Sequence, residues 1–398
     1  MIRWPRPGRN LLDTISSIAD LRLLARRRTP RPIFDFVDGG AGDEVALRRN
    51  THAFQRVSLV SRALRDVSTI DTTTEFFGRA ASLPLALAPI GMTRIAHSDG
   101  EVGAARAAHR AGVPWVMPTM ATTTPEEVAA HVGPTDRWFQ LYLWRDTEAS
   151  DALVRRAQDC GFTTLVLTID TPVAGARLRD IRHGMTMPPS FPLSAVASIA
   201  RHPRWWFDAI TREPLENRVL PTTRGSFTER TNAVMNPSVT LATLERLREM
   251  WPGNILVKGI LNGADAQEVL RHGADGVIVS NHGGRQLENA IAPLEALPAV
   301  REAVGPDVPV LVDGGIRSGI HIAIAIASGA SGVLVGRAFV YGLMAGGQAG
   351  AERAIAILRA DLERGMALLG ATSLAELTPD LLHGSEVTGD RRASPARA

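Results

Sequence analysis

Eight short apolar runs separated by helical stretches constrain this sequence more than any other feature. They are LPLALAP (83–89), GVPWVMP (112–118), WFQLY (138–142), TLVLTI (164–169), ILVKG (255–259), GVIVS (276–280), PVLVD (309–313) and GVLVG (332–336). Each is continuously apolar rather than alternating, the pattern of a strand buried on both faces of a parallel sheet. The segments between them, such as GEVGAARAAHRAG and NGADAQEVLRHGAD, are rich in Ala, Glu and Arg and read as helices. Eight βα units in series predict an α/β fold, a single (β/α)8 barrel of the TIM type. Periodicity alone also fits an open doubly wound sheet.

The spacing divides the chain. Residues 11–50 read as helical, interrupted at Pro30 and Pro32 and ended at Gly39-Gly40, so residues 1–80 are expected to form a helical segment packed on the barrel. The barrel itself is expected over 81–383. Its fourth run ends near Asp170 and its fifth begins near Ile255, a gap far longer than an ordinary βα loop. An insertion over 171–240 therefore follows strand four, where barrel enzymes carry lids. The polar tail GSEVTGDRRASPARA (384–398) reads as disordered.

Composition narrows the function classes. A net charge of +3 is too small for a nucleic-acid protein built on a basic surface. Of the 44 Lys and Arg residues only Lys258 is a lysine, so the basic isoelectric point reflects arginine. A single cysteine, Cys160, closes no intramolecular disulfide and builds no cysteine zinc cluster, and no metal site is expected. The N-terminus lacks a signal-peptide apolar run, and no stretch approaches ~18 uninterrupted apolar residues, so a cytoplasmic protein is expected. Within the insertion, Trp205, Trp206 and Phe207 beside Arg201 and Arg204 suit either a lid packed on the protein or peripheral contact with a membrane surface.

Polar residues just past the C-terminal ends of barrel strands face the active site. Here these positions are Gln140 and Tyr142, Thr168 and Asp170, Lys258, then Ser280, His282 and Arg285 in SNHGGRQLE, Asp313 and Arg317 in DGGIRSG, and Gly336-Arg337. Glycines that admit backbone N–H groups, together with Arg317 and Arg337 after strands seven and eight, predict a phosphate site. Tight turns are the plainer reading of each motif alone. His282 followed by Arg285 places a base beside a carboxylate clamp, and Asp170 is its candidate partner, favouring a protonated imidazole. Lys258 inside an apolar strand requires an anion or hydrogen-bond acceptors.

Together FQLY, LTIDTP, LVKGI, SNHGGRQ, LVDGGIRSG and VGRAF resemble the FMN-dependent 2-hydroxy-acid dehydrogenase/oxidase family, from about Leu12 to His383. VAGARLRD, HPRWWFD and AFVYGLMAGGQAG look most like its bacterial quinone-linked L-lactate dehydrogenase branch. The resemblance implies FMN as cofactor and oxidation of an L-2-hydroxy acid to the 2-oxo acid. It makes His282 the catalytic base, Asp170 its orienting carboxylate, Arg177 and Arg285 the pair holding the substrate carboxylate, and Tyr142 a substrate-bonding phenol. Lys258 is placed beside the flavin N1/O2 edge, where a fixed positive charge stabilises the reduced ring. Pro89, Ile90, Gly91, Gln140, Thr168 and Ser280 are placed along the isoalloxazine. Asp313, Gly314, Gly315, Arg317, Gly336 and Arg337 are placed at the ribityl phosphate. It also implies a homotetramer.

Three positions depart from the family pattern. Phe36 stands where many members have a substrate-binding tyrosine, which favours a bulkier or aromatic substrate over lactate. Pro118 stands where a flavin-contacting serine is common. Gly91 stands where oxidases tend to carry alanine, a lean toward an electron acceptor other than oxygen, such as a quinone. The alternatives are an oxygen-using oxidase of mandelate-like acids, a non-redox barrel (an isomerase or aldolase) binding a sugar phosphate, and a flavin-binding protein without turnover.

Overall fold

The computed structural model describes residues 11–133, 136–183, 198–211 and 235–383. Eight parallel strands form a closed barrel: β1 Leu85–Leu87, β2 Trp115–Pro118, β3 Arg137–Leu141, β4 Thr164–Thr168, β5 Asn254–Ile260, β6 Gly276–Val279, β7 Val310–Val312 and β8 Gly332–Val335. Each apolar run supplies one strand, and β8 pairs back onto β1 with Val335 beside Leu87. Closure excludes the open doubly wound sheet.

Side chains alternate across a strand, so every second residue points into the barrel. Ala86, Val116, Trp138, Val166, Leu256, Ile278, Leu311 and Leu334 form that inner cluster. The strands' other buried side chains, such as Leu165, Leu167 and Val257, join the outer core beneath the helices. One step of two further along each strand lie Ala88, Pro118, Gln140, Thr168, Lys258, Ser280, Asp313 and Gly336. The same period that builds the core therefore delivers a polar layer to the barrel's C-terminal end.

The N-terminal part carries a 3-10 turn at Leu11–Thr14, then helices α1 Ile18–Arg28, α2 Arg31–Asp38 and α3 Val45–Gln55. Ser17 caps α1 by accepting from the Asp20 amide. The expectation of a helical segment through residue 80 does not hold over its last part. Ser58–Leu59 pairs with Leu382–His383, and Thr74–Phe76 forms a hairpin with Arg79–Ala81. The hairpin packs Phe76 edge-on against Trp138, 5.6 Å between ring centroids, filling the inner cluster from below. Thr, Phe and Gly in TTTEFFGRAA favour this extended pairing over a helix.

Between β4 and β5 the described residues include helices Leu178–Arg182, Pro203–Thr211 and Leu241–Met250. The first is clamped to α2. Arg179 bridges Asp38 at 3.1 Å, Asp35 at 3.3 Å and Glu44 at 2.5 Å, and His183 Nε2 lies 2.8 Å from Asp35. Most of 171–240, the Arg204 side chain and the 384–398 tail lie outside the described residues.

Candidate active site

A cavity of about 1310 Å³, counted out to its open mouth, sits over the C-terminal ends of the strands. Phe36, Pro89, Ile90, Gly91, Gln140, Tyr142, Thr168, Arg177, Lys258, His282 and Arg285 line it, as do Asp313 to Arg317, Gly336 and Arg337. Among the predicted site residues only Asp170 and Ser280 stand behind the wall, each bonded to a residue that faces the space.

His282 is held from both sides. Its Nδ1 lies 2.9 Å from Asp170 Oδ1, and its Nε2 lies 3.3 Å from the Tyr142 hydroxyl. The backbone N–H of His282 donates to Ser280 Oγ at 3.0 Å. His282 itself adopts φ +59°, a left-handed conformation unfavourable for a side-chain-bearing residue, which the flanking bonds hold in place. Asp170 reaches the ring because β5 bulges at Gly259, where a Cβ would come within 2.7 Å of Asp170 Cβ. Burial lowers the pKa of His282; Asp170 opposes this, while Lys258 and Arg177 add to it. The expectation of a ring protonated by its carboxylate partner is thus reversed. The net direction leaves a neutral imidazole, the form that accepts a proton. Asp170 is pushed up by burial but pulled further down by His282 and Lys258, so it stays ionised.

Lys258 Nζ donates to Ser280 Oγ at 2.7 Å and pairs with Asp313 Oδ2 at 3.0 Å. Burial disfavours the ammonium, yet Asp313 and Asp170 more than offset it and the pKa rises. This answers the question posed by a lysine in an apolar strand. Asp313, grouped in sequence with the phosphate residues, is first the counter-ion of Lys258. Ser280 likewise braces Lys258 and His282 rather than facing the cavity.

Arg285 spends Nη1 on the carbonyls of Phe36 (2.9 Å) and Gly39 (2.8 Å). Its guanidinium lies 5.5 Å from the Phe36 ring centroid. Phe36 therefore braces the arginine through its carbonyl and its ring face. Burial lowers the pKa of Arg285, and Arg177 and Arg337 lower it further. Arg177 is lowered chiefly by burial too. Such a group of buried cations is a seat for an anionic ligand.

At the other end, burial pulls Arg317 down to about 10. Arg337, predicted as a second phosphate fork, donates to the carbonyls of Val37 (3.0 Å), Gly283 (2.9 Å) and Gly39 (2.7 Å). Its first task is to tie the His282 loop to the end of α2.

Gln140 Nε2, Thr168 Oγ1 and Asp313 Oδ1 are buried polar atoms on the cavity wall with no hydrogen-bond partner. The amide of Gln140 is oriented by the Thr119 N–H, which donates to Oε1 at 3.1 Å and leaves Nε2 toward the space. Burying such atoms unpaired is costly. A donor, a hydroxyl and a carboxylate oxygen match the carbonyls and ring nitrogens of a flavin edge and the hydroxyls of a ribityl chain. The residues present fit FMN.

The family profile of FMN-dependent dehydrogenases matches residues 25–384. The chain belongs to this family. Its cofactor is FMN and its chemistry is the oxidation of a 2-hydroxy acid. An L-lactate dehydrogenase of Xanthomonas campestris pv. campestris is 41% identical, covering 96% of this chain and all of its own length. A solved monotopic membrane protein, (S)-mandelate dehydrogenase, superposes with a TM-score of 0.88 at 36% identity, covering 93% of this chain and 100% of its own. Mandelate oxidase with (S)-4-hydroxymandelic acid superposes at 0.82 with 38% identity, over 93% of this chain and 98% of its own.

Some supporting residues carry no local signal in the sequence. Asn50 and Asn281 exchange two hydrogen bonds of 2.8 and 2.7 Å, fixing the His282 loop to α3. Gln286 Nε2 donates to the carbonyls of Asp170 and Val173 at 3.1 and 2.9 Å, and its Oε1 accepts from Gly175 N–H at 3.1 Å. Gln286 lies within the SNHGGRQ motif, but its bonds cross 111 to 116 positions of chain, and no local pattern announces them.

Proposed function

We propose that this chain oxidises an L-2-hydroxy acid with an apolar side chain, lactate-like or larger, and passes the electrons to a quinone or a similar carrier. The observation that carries the reading is the placement of His282, whose Nε2 lies beside Tyr142 at the cavity while Nδ1 rests on Asp170. Arg285, with Nε and Nη2 left over, and Arg177 hold the substrate carboxylate. Tyr142 donates its hydroxyl to the substrate's polar end; burial raises its pKa, so it remains a phenol. FMN, when bound, supplies the two-electron acceptor. His282 Nε2 takes the substrate proton, and Asp170 stabilises the resulting imidazolium. Lys258 sets a buried positive charge where negative charge gathers on the cofactor.

Phe36, Met120 and Met235 stand around the substrate end and favour the second reading, a mandelate-like aromatic side chain. Two methionines give walls that adapt to larger groups. An apolar cavity walled by Leu143, Val239, Leu241 and Leu244 shares Tyr142, Thr168 and Met235 with the first, which supports a nonpolar electron acceptor. Trp206 and Phe207 are 37% and 61% exposed on their helix, in keeping with peripheral contact at the cytoplasmic membrane, and no helix among the described residues is long and apolar enough to cross one. A homotetramer is part of the same proposal, checked by sedimentation.

The test is anaerobic bleaching of the bound flavin against a panel of L-2-hydroxy acids including lactate and mandelate. His282→Gln is expected to keep FMN and slow flavin reduction by ~100-fold or more. Normal reduction in that variant removes His282 as the base.

A further inference from the structure

A second polar cavity lies on the far side of α2 from the active site. It occupies about 1060 Å³, counted to solvent, between α1, α2 and the start and middle of the β4–β5 insertion. Five arginines line it, Arg22, Arg26, Arg31, Arg179 and Arg182, with His183 and His202 beside them. The one carboxylate in the lining, Asp35, is already engaged by His183 at 2.8 Å, Arg179 at 3.3 Å and Arg31 at 3.4 Å. Arg22 is spent on Asp38 at 2.6 Å. Arg26 and Arg182, from opposite sides of the cavity, have no hydrogen bond or ion pair among the described residues.

An independent observation points into the same space. Thr29, 1% exposed and on the cavity wall, has a buried hydroxyl Oγ1 with no hydrogen-bond partner. Its backbone N–H closes α1 by donating to Ala25. The side chain is therefore not needed as a cap. An unpaired buried hydroxyl and two unpaired guanidiniums in the wall of one cavity are donors without an acceptor. The C-terminus of α1 and the N-terminus of α2 meet here with opposite poles, so the side chains decide the sign of the field.

We propose that this cavity binds a phosphate-type oxyanion. Donors converge from α1 and from the insertion on different sides. A tetrahedral oxyanion accepts from all of them, whereas a planar carboxylate presents only two oxygens in one plane. The lining also includes the Phe34 ring, under the Arg22 guanidinium at 5.6 Å, so the site takes a phosphate that carries a further group. Two sources offer that chemistry: a soluble phosphate ester and the headgroup of an anionic phospholipid. The site is separate from the FMN phosphate position and does not rest on the substrate reading.

The test uses the FMN-loaded full chain. Inorganic phosphate is titrated by calorimetry at low ionic strength, and co-sedimentation is measured with phosphatidylglycerol and with phosphatidylcholine vesicles. Arg26→Ser/Arg182→Ser removes the two unpaired cations, and Thr29→Val removes the hydroxyl without changing charge or volume. Each variant is expected to weaken binding about tenfold or more in one arm. Loss in the phosphate arm identifies a soluble ligand. Loss only with phosphatidylglycerol identifies a headgroup. Unchanged binding by Thr29→Val in both arms overturns the proposal, even if the double variant is weaker, because diffuse surface attraction alone predicts that result. Retained flavin absorbance in every variant shows that the fold is intact.

Discussion

Gln286 offers the sharpest test of how the proposed His282–Asp170 pair is held. Its side chain closes three hydrogen bonds onto the segment after β4, to Asp170 O, Val173 O and Gly175 N. That segment carries Asp170 at one end and Arg177 at the other. Gln286→Leu keeps the volume and removes all three bonds. Val173 is exposed, so water replaces its partner at little cost. The bonds to Asp170 and Gly175 are partly shielded and cost more. The sum is about 2–4 kcal/mol of local stabilisation. If half of it acts on the position of Asp170, flavin reduction by substrate slows by about 5- to 30-fold. Substrate binding also weakens as Arg177 loosens. Anaerobic stopped-flow reduction across substrate concentration separates the two effects, and hydrogen exchange over 170–177 reports the loosened segment. A variant with unchanged reduction rate, unchanged substrate affinity and unchanged exchange would refute the bracing role.

The pH profile follows from the direction of the His282 shift. A base must be unprotonated in the free enzyme, so kcat/KM should fall as pH drops through a midpoint below 6.5, since burial with Lys258 and Arg177 outweighs Asp170; a midpoint above 6.5 contradicts the assignment. Lys258→Arg keeps the charge, but its larger fork cannot meet both Ser280 and Asp313 in the same space, and flavin reduction should slow even where FMN still binds. Phe36→Tyr adds a phenol at the substrate end and should lower KM for lactate by about 2- to 10-fold relative to mandelate; parallel changes for both acids would place residue 36 away from the substrate.

Much of this protein is legible in its sequence. The eight apolar runs became the eight strands, because a strand buried on both faces leaves a continuous signature in its own residues. The polar positions two residues beyond the core layer were legible for the same reason: alternation is local. The extended pairing of residues 58–59 and 74–81 was not. Ser58–Leu59 finds its partner at Leu382–His383, at the far end of the described chain. Nor was the division of labour among the cations, in which Arg337 and Arg285 first satisfy backbone carbonyls at the end of α2.

Closure of the strands into a barrel was decided in space, but the sequence by itself determined the eight strands, the family and the set of polar side chains offered to the active site. These follow from periodicity and short motifs, which act over a few residues. Only the tertiary structure decided the state of those side chains. A carboxylate beside His282 suggests an imidazolium when the two residues are considered alone. Burial and two neighbouring cations, brought in from β5 and from the insertion, lower its pKa and favour the neutral ring. Coulombic and desolvation effects depend on distance and enclosure in space, and neither is written in the order of residues along the chain.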